Sequence, residues 1–211
     1  MDKSYKTNKW EHKSKRKFIA KLVVIAFLAV LVAIHIFNTF RRVDEIALVS
    51  LGSAQQEIVN LLSPLNGAFI YSFQTREAFD LLEVWIDVYN YGELAEEAIV
   101  KLATSNSQAR DGLIGLVVDR DWQDNNKITF TVSASLGGSI LRAMPKEFYM
   151  SFEEDRQSGI AWSANEESVS IIDGEEILLF SAVANRGNVV STSTADAPQS
   201  YIFKLKARFS N

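Results

Sequence analysis

The sequence predicts an α+β, membrane-anchored protein in which one long N-terminal transmembrane helix is followed by a mostly antiparallel β-sandwich domain. Three observations support this fold class: an apolar run near the amino terminus, a following stretch with apolar residues every three or four positions, and a strict two-residue alternation beyond it. We therefore divide the chain into a basic cytoplasmic tail (1–17), a transmembrane helix (18–40), an extracytoplasmic helix (41–63) and a β-sandwich-like domain (68–211).

The apolar run LVVIAFLAVLVAIHIF extends from Leu22 to Phe37. With its flanks it reaches from Phe18 to Phe40, which matches the roughly 20 residues that a helix needs to cross a bilayer core. Lys21 lies one turn inside this run, where its methylene stem can stay in lipid while the ammonium reaches the head groups. The pattern predicts one membrane span.

Charge at the two ends of this span predicts its orientation. Residues 1–21 contain eight Lys and Arg against two acidic residues, a net charge of +6. Basic residues stay on the cytoplasmic side of a span, so the amino terminus is expected inside and the carboxyl-terminal domain periplasmic or extracellular. The chain has no cysteine, which suits the plasma (inner) membrane of a prokaryote better than a eukaryotic extracellular module.

Two other interpretations of the amino terminus compete with an uncleaved anchor. A cleaved signal peptide would have a shorter apolar core and a small-x-small cleavage site, and IHIFNTFRRV lacks that site. A prepilin leader of the bacterial type would need a Gly before the cut and a Glu soon after it, and KSKRKFIAKLVV has neither.

The stretch after the span has the spacing of an amphipathic helix that continues the membrane helix outward. Such a stripe is covered either by the chain's own globular domain or by a helix of another subunit. The residues expected to contact a partner helix are Val43, Ile46, Val49, Ala54, Ile58 and Leu61.

Alternation with period two predicts strands with one buried and one solvated face. It is clearest at 82–89, 128–135 and 201–209, and turn sequences rich in Asn and Gly separate these segments. Short strands at this spacing indicate an antiparallel sandwich or barrel. A helix over 75–89 remains an alternative, because Ala78, Leu82, Trp85 and Tyr89 also share a helical face.

The stretch LEVWIDVYNYGELAEEAIVKLA, residues 82–103, resembles the strand-turn-strand of CARDB-like immunoglobulin-fold modules of prokaryotic surface proteins. Asn90 and Gly92 occupy the turn, and Ala98, Val100 and Leu102 supply the returning strand. The resemblance covers about 22 residues. It implies adhesion or assembly, because such modules bind or space other proteins.

The predicted exported domain contains neither His nor Cys, since His12 and His35 both precede it. This excludes Ser-His-Asp and Cys-His catalysis and zinc sites built on imidazole or thiolate. Chemistry based on carboxylates alone, as in glycosidases, stays open. We predict no enzyme activity and no cofactor.

A weak candidate for calcium binding is DRDWQDNN, where oxygen ligands could come from Asp119, Asp121 and Asp124. Calcium loops require a turn Gly and a distal carboxylate, and this segment has Asp124 and Phe130 at those places. A solvated turn therefore suits the segment better.

The function expected from these features is that of a non-enzymatic structural or assembly component of an envelope, pilus- or archaellum-like, or secretion complex. The alternatives are a membrane-tethered ligand-binding or sensory module and a pilin-like filament subunit. The expected partners are the lipid bilayer and other envelope proteins, with a homo-oligomer formed through the N-terminal helix. The 190 residues after residue 21 carry a net charge of −10, which argues against nucleic acid.

Overall fold

The computed structural model describes residues 28, 30–32, 43–53, 55, 57, 59, 67–105, 108–120, 126–151, 158–186 and 200–211. The chain forms two compact units, Met1–Arg42 and Val43–Asn211. The second unit contains all the strands named below.

The described part of the second unit is built mainly from strands. In chain order they are β1 (Glu45–Leu48), β2 (Ala68–Gln74), β3 (Leu81–Asn90), β4 (Glu93–Ser105), β5 (Asp111–Arg120), β6 (Lys127–Leu136), β7 (Ser139–Arg142), β8 (Lys146–Tyr149), β9 (Ser158–Ala164), β10 (Val169–Ser170), β11 (Glu176–Arg186) and β12 (Ser200–Ser210).

These strands form two antiparallel sheets. Sheet A has the order β10-β1-β2-β5-β6-β7, and β8 pairs with β6 beside β7. Sheet B has the order β4-β3-β12-β11-β9. The central strand β12 comes from the carboxyl-terminal end and pairs with β3 over ten residue pairs, so sheet B joins distant parts of the sequence.

The two sheets pack face to face around one apolar core, and aromatic rings bridge them. Phe130 on β6 lies 4.9 Å from Phe203 on β12, measured between ring centroids. Phe73 on β2 contacts Phe209 at 5.0 Å, with the rings inclined at 64°. Tilted and edge-to-face contacts of this kind are the favoured arrangements for aromatic pairs. The architecture is therefore a β-sandwich.

The alternation of apolar and polar residues explains why these segments form strands with one face in the core. In β12 the residues Tyr201, Phe203, Leu205, Ala207 and Phe209 are buried, while the basic residues between them lie on the opposite face. The turn between β3 and β4 has positive φ at both central residues, 54° at Tyr91 and 81° at Gly92. Two positive φ angles match the twist of a two-residue hairpin.

The predicted fold class, with its long N-terminal transmembrane helix, is wrong for the part of the chain that the structure describes. Sheet strands dominate that part, and none of its helices is long and apolar enough to span a bilayer. Helical conformation occurs at Leu28 and Val30–Val32 and again at Ser53, Gln55, Glu57 and Val59. The predicted span residues Phe18, Lys21, Leu22, Phe37 and Phe40 lie outside the described residues.

The continuous helix expected over residues 41–63 is interrupted by β1. Residues 45–48 pair with β2 on one side, and Glu45 and Ile46 pair with β10 on the other. The helix considered for 75–89 is absent as well, because residues 81–90 form β3. In both segments, pairing with a neighbouring strand and burial of one face override a spacing that also suits a helix.

Candidate functional site

The outer face of sheet B carries a network of charges on β3, β4, β11 and β12. Glu83 is buried, and its Oε1 pairs with Lys101 Nζ at 2.6 Å. Its Oε2 accepts a hydrogen bond from Arg208 Nε at 2.9 Å and a second, very short one from Nη2 of the same guanidinium. Both carboxylate oxygens of Glu83 therefore have cationic partners.

Asp87, two positions further along β3, is the second buried acid of this network. Its Oδ2 pairs with Lys206 Nζ at 3.0 Å, and Lys206 also donates to Glu176 Oε2 at 3.0 Å. The Oδ1 atom accepts the backbone N–H of Ala98 at 2.9 Å. Ala98 lies in a β-bulge of β4 and has a φ of 49°, so Asp87 holds the bulge in place.

Aromatic rings lie under the cations of the same network. Trp85, between the two acids, is buried although it points away from the core, with Arg208 Cζ 5.5 Å and Lys206 Nζ 6.0 Å from its ring. Lys204 Nζ lies 4.5 Å from the ring of Tyr89. These are cation–π distances, and each contact covers apolar ring surface with a charged head.

Ion pairing in the network favours the charged forms of Glu83 and Lys206. Hydrogen bonds from Lys101 and Arg208 keep the pKa of Glu83 below its ordinary value. Burial lowers the pKa of Lys206, but hydrogen bonds to Asp87 and Glu176 outweigh burial, so the pKa lies above its ordinary value. An acid–base catalyst at neutral pH needs a pKa moved toward neutrality, and Glu83 is moved the other way. We therefore assign this face a stabilising role.

A polar cleft of about 260 Å³ opens at one end of the sandwich, beside Phe79 and Phe209. Asp44 at this cleft accepts the backbone N–H of Arg76 at 2.6 Å and pairs with its Nε at 3.3 Å. Asp173 accepts the backbone N–H of Asn211 at 2.9 Å. Both carboxylates thus fix neighbouring chain segments.

The outer face of sheet A differs from the charged outer face of sheet B, because it presents an apolar groove of about 350 Å³. Leu113 is 43% exposed, Val117 36% and Ile140 76%. The remaining lining combines further apolar residues with small side chains and one cation: Val59, Ala68, Phe69, Ile70, Gly115, Leu116, Ser133, Ala134, Ser135 and Arg142.

The sequence of β5 produces this groove. Leu113, Gly115 and Val117 alternate with the buried Ile114, Leu116 and Val118, so the strand is apolar on both faces. A strand with this composition is typical of sheets covered on both sides. Gly115 forms the floor: a Cβ there would lie 2.8 Å from Ser133 Oγ, so the missing side chain leaves room for the Ser133 hydroxyl beside it.

The residues expected to contact a partner helix do not form one stripe in the described region. Val43 is exposed and non-helical, and Ile46 is fully buried in β1. Val49 donates its backbone N–H to Ile70 O at 2.7 Å, which ties it to β2. Ala54, Ile58 and Leu61 lie outside the described residues. Ile46 contributes to the core of its own domain and is unavailable to a partner.

Of the calcium candidates, Asp119 lies in β5 and is exposed on the outer face of sheet A, opposite Thr129. Asp121 and Asp124 fall outside the described residues. In the part of the chain that the structure describes, no three His, Cys, Asp or Glu side chains come together in a way that could hold a metal ion.

A family model described as the YgaN domain matches residues 45–204. The chain belongs to the YgaN domain family. The match begins at the first residue of β1 and ends within β12, so the YgaN domain includes sheet A, most of sheet B and every residue that lines the groove. Lys206 and Arg208 of the charge network lie beyond it. Neither the curated proteins nor the solved structures contain a match to this chain.

The resemblance of residues 82–103 to CARDB-like modules corresponds to the hairpin of β3 and β4 within this YgaN domain. The positive φ angles at Tyr91 and Gly92 lie in the turn that carried the resemblance. A relation to those modules stays a prediction.

The groove and the charge network were both missed as sites by sequence reasoning. The run LIGLVV at 113–118 is the signal that would have indicated a strand covered on both faces. The opposed charges of 83–87 and 204–208 were visible, but their pairing depends on a register between distant segments.

Proposed function

We propose that this protein is a non-enzymatic binding domain of a prokaryotic cell-envelope assembly, and that a partner protein docks in the apolar groove on the outer face of sheet A. The observation that carries the proposal is the exposure of Leu113, Val117 and Ile140 on a face that is normally polar in a sandwich. Contiguous exposed apolar surface of this kind marks interaction sites.

Covering the exposed side chains of the groove contributes part of the free energy of binding. The three exposed fractions amount to about one and a half fully exposed side chains, and covering them contributes roughly 2–5 kcal/mol. The groove is also lined by residues with small side chains or none, Gly115 and Ser133 among them. Arg142 at the margin offers a charged contact for the rim.

The partner element we propose is an amphipathic helix. Val59, a residue in helical conformation, already lines the groove, so the surface accommodates an apolar side chain presented from a helix. Recognition of this type places residues at i, i+3, i+4 and i+7 of the partner helix along the groove.

The other functions suit these surfaces less well. Small-molecule sites enclose about 300–1,000 Å³, and the two cavities described above, at 260 and 350 Å³, lie at or below the small end of that range. The buried acids of sheet B, Glu83 and Asp87, are engaged in ion pairs, which leaves them poorly suited to catalysis. A location outside the cytoplasm, with the basic residues 1–21 against anionic lipid, is part of the proposal.

A photo-crosslinking amino acid at Leu113 in the full chain, expressed in its native cells, tests the proposal. The matched control is Leu94 on β4 of sheet B, which is 51% exposed. We expect a discrete protein adduct from position 113, none from position 94, and loss of the adduct when Ile140→Glu places a charge in the groove. The proposal is wrong if position 113 gives no adduct or if both positions give the same adducts.

A further inference from the structure

The outer edges of the two sheets differ in how well they resist pairing with another strand. Sheet A ends on one side with β10, which has two residues, and on the other with β7 and β8, two four-residue strands separated by Pro145. In sheet B, β4 carries the exposed acids Glu93, Glu96 and Glu97 and the bulge at Ala98. Short strands, proline, charges and bulges all discourage edge pairing.

The fourth edge, β9, has none of these protective features. Its sequence SGIAWSA contains no charge and no proline, and it pairs regularly with β11 over seven residues without a bulge. Within the described part of the chain, no strand pairs with its other side. Trp162 in the middle of this edge is 40% exposed.

The hydrogen bonds of β9 identify which groups point outward. The N–H of Asn165, just after the strand, donates to Leu179 O on β11. Because N–H and C=O directions alternate along an antiparallel strand, residues 159, 161 and 163 also face β11. The backbone groups of Ser158, Ile160, Trp162 and Ala164 therefore face the free edge.

We propose that β9 pairs antiparallel with β9 of a second copy of this chain, around a two-fold axis at Ala161. In this register Ser158 pairs with Ala164 of the second copy, and Ile160 pairs with Trp162 of the second copy. All four outward-facing residues then find hydrogen-bonding partners, and the two B sheets become one continuous ten-stranded sheet. A two-fold contact of one patch with itself is the commonest form of dimer.

The side chains of β9 fit this arrangement. Ile160 and Trp162 both stand on the core side of sheet B, where Trp162 meets Phe69 edge-on at 6.3 Å. Across the axis each Trp162 faces an Ile160, and an aromatic residue opposite a β-branched one is a stabilising cross-strand pair. Since the strand has no charge, self-pairing brings no like charges together. A second copy thus provides hydrogen-bonding partners for the outward-facing backbone groups of β9 in both chains.

The chain has no cysteine, so a single introduced cysteine can form only an intermolecular disulfide. In the proposed register the two Ala161 residues form a non-hydrogen-bonded pair with Cα atoms about 4.5 Å apart, within disulfide range. Ser163 lies on the same strand and face, but its two copies would be roughly 14 Å apart. Ser163→Cys is therefore the matched control for Ala161→Cys.

We expect the full chain to dimerise in analytical ultracentrifugation, and Ala161→Cys to form covalent dimers at least tenfold faster than Ser163→Cys under mild oxidation. Ala161→Lys, which sets two ammonium groups face to face on an outer surface, should weaken dimerisation at least tenfold. A monomeric parent chain, or equal crosslinking of the two cysteine variants, overturns the proposal. The groove lies on the outer face of sheet A and β9 lies at the edge of sheet B, so the Leu113 adduct and the Ala161 disulfide report on two different surfaces.

Discussion

Asp87 gives the sharpest test of how sheet B is held together, because its two carboxylate oxygens serve different partners. One accepts the Ala98 N–H at 2.9 Å and the other pairs with Lys206 at 3.0 Å. The φ of 49° at Ala98 costs an L-residue about 1–2 kcal/mol. The hydrogen bond from its amide offsets that strain, so replacing Asp87 removes two supports from one buried position.

We expect Asp87→Ala to lower the free energy of unfolding by about 3 kcal/mol. Loss of a hydrogen bond to an ionised acceptor costs about 1.5–3 kcal/mol, and breaking a buried ion pair costs about 3–5 kcal/mol. The expected loss is smaller than the sum of these two costs, because Lys206 keeps Glu176 as a partner. Asp87→Asn is the matched control: its Oδ1 still accepts the Ala98 N–H, but its amide group replaces the oxygen that paired with Lys206. Since Lys206 keeps Glu176 as a partner, we expect a loss of about 1 kcal/mol.

Urea unfolding of the full chain, followed by circular dichroism, measures both variants. With a slope of about 2 kcal/mol per molar urea, the midpoint should fall by about 1.5 M for Asp87→Ala and about 0.5 M for Asp87→Asn. Equal midpoints for the two variants would refute the role of the Ala98 hydrogen bond. If both variants had the urea midpoint of the parent chain, the claim that the charge network stabilises sheet B would be refuted.

Three further predictions concern other contacts of the sandwich. Because the pKa of Glu83 is lowered in the folded state, its contribution to stability is present above about pH 4 and is lost as the pH falls through the folded-state pKa. Glu83→Gln should therefore reduce the fall in the urea midpoint between neutral and acidic pH, and an unchanged fall would contradict this. Tyr71→Phe removes the buried hydroxyl that donates to Leu179 O at 2.6 Å. We expect the free energy of unfolding, measured by thermal unfolding, to fall by about 1–2 kcal/mol, and an unchanged melting temperature would contradict this. Gly112→Ala would place a Cβ in a clash with the Ser135 carbonyl oxygen, so we expect a loss of about 3 kcal/mol in urea unfolding. A parent-like midpoint would contradict the close approach of β5 and β6.

Strands with long two-residue alternation were predictable from sequence. The alternating residues 82–89, 128–135 and 201–209 lie within β3, β6 and β12, because each strand buries one face in the core and exposes the other to polar neighbours. The order of these strands within the sheets was not predictable. Pairing of β3 with β12 depends on tertiary packing between segments more than a hundred residues apart.

The helix over residues 41–63 was predicted wrongly because β1, the strand within it, is only four residues long. In β1 only Ile46 and Leu48 face the core, and an alternation of two residues is indistinguishable from part of a helical stripe. Pairing with β2 and β10 then decides the conformation of this segment. Local spacing carries no information about such partners.

The surfaces were harder to predict than the strands. The basic residues of β12 were expected on a solvated face, and they lie there, but over a buried Trp85 and paired with Glu83 and Asp87. The groove depends on Gly115, whose missing side chain matters only once Ser133 is beside it on β6. Both features arise from strand register, which a single sequence does not reveal.

The central claim, that a partner occupies the apolar groove of sheet A, is tested most directly by filling the groove from within. With a photo-crosslinker at Val117, Ser135→Phe fills the groove, whereas Thr129→Phe adds the same ring to the same face of β6 at a position that does not line it. We predict that the partner adduct disappears with Ser135→Phe and persists with Thr129→Phe. Persistence of the adduct in the Ser135→Phe chain would contradict the claim.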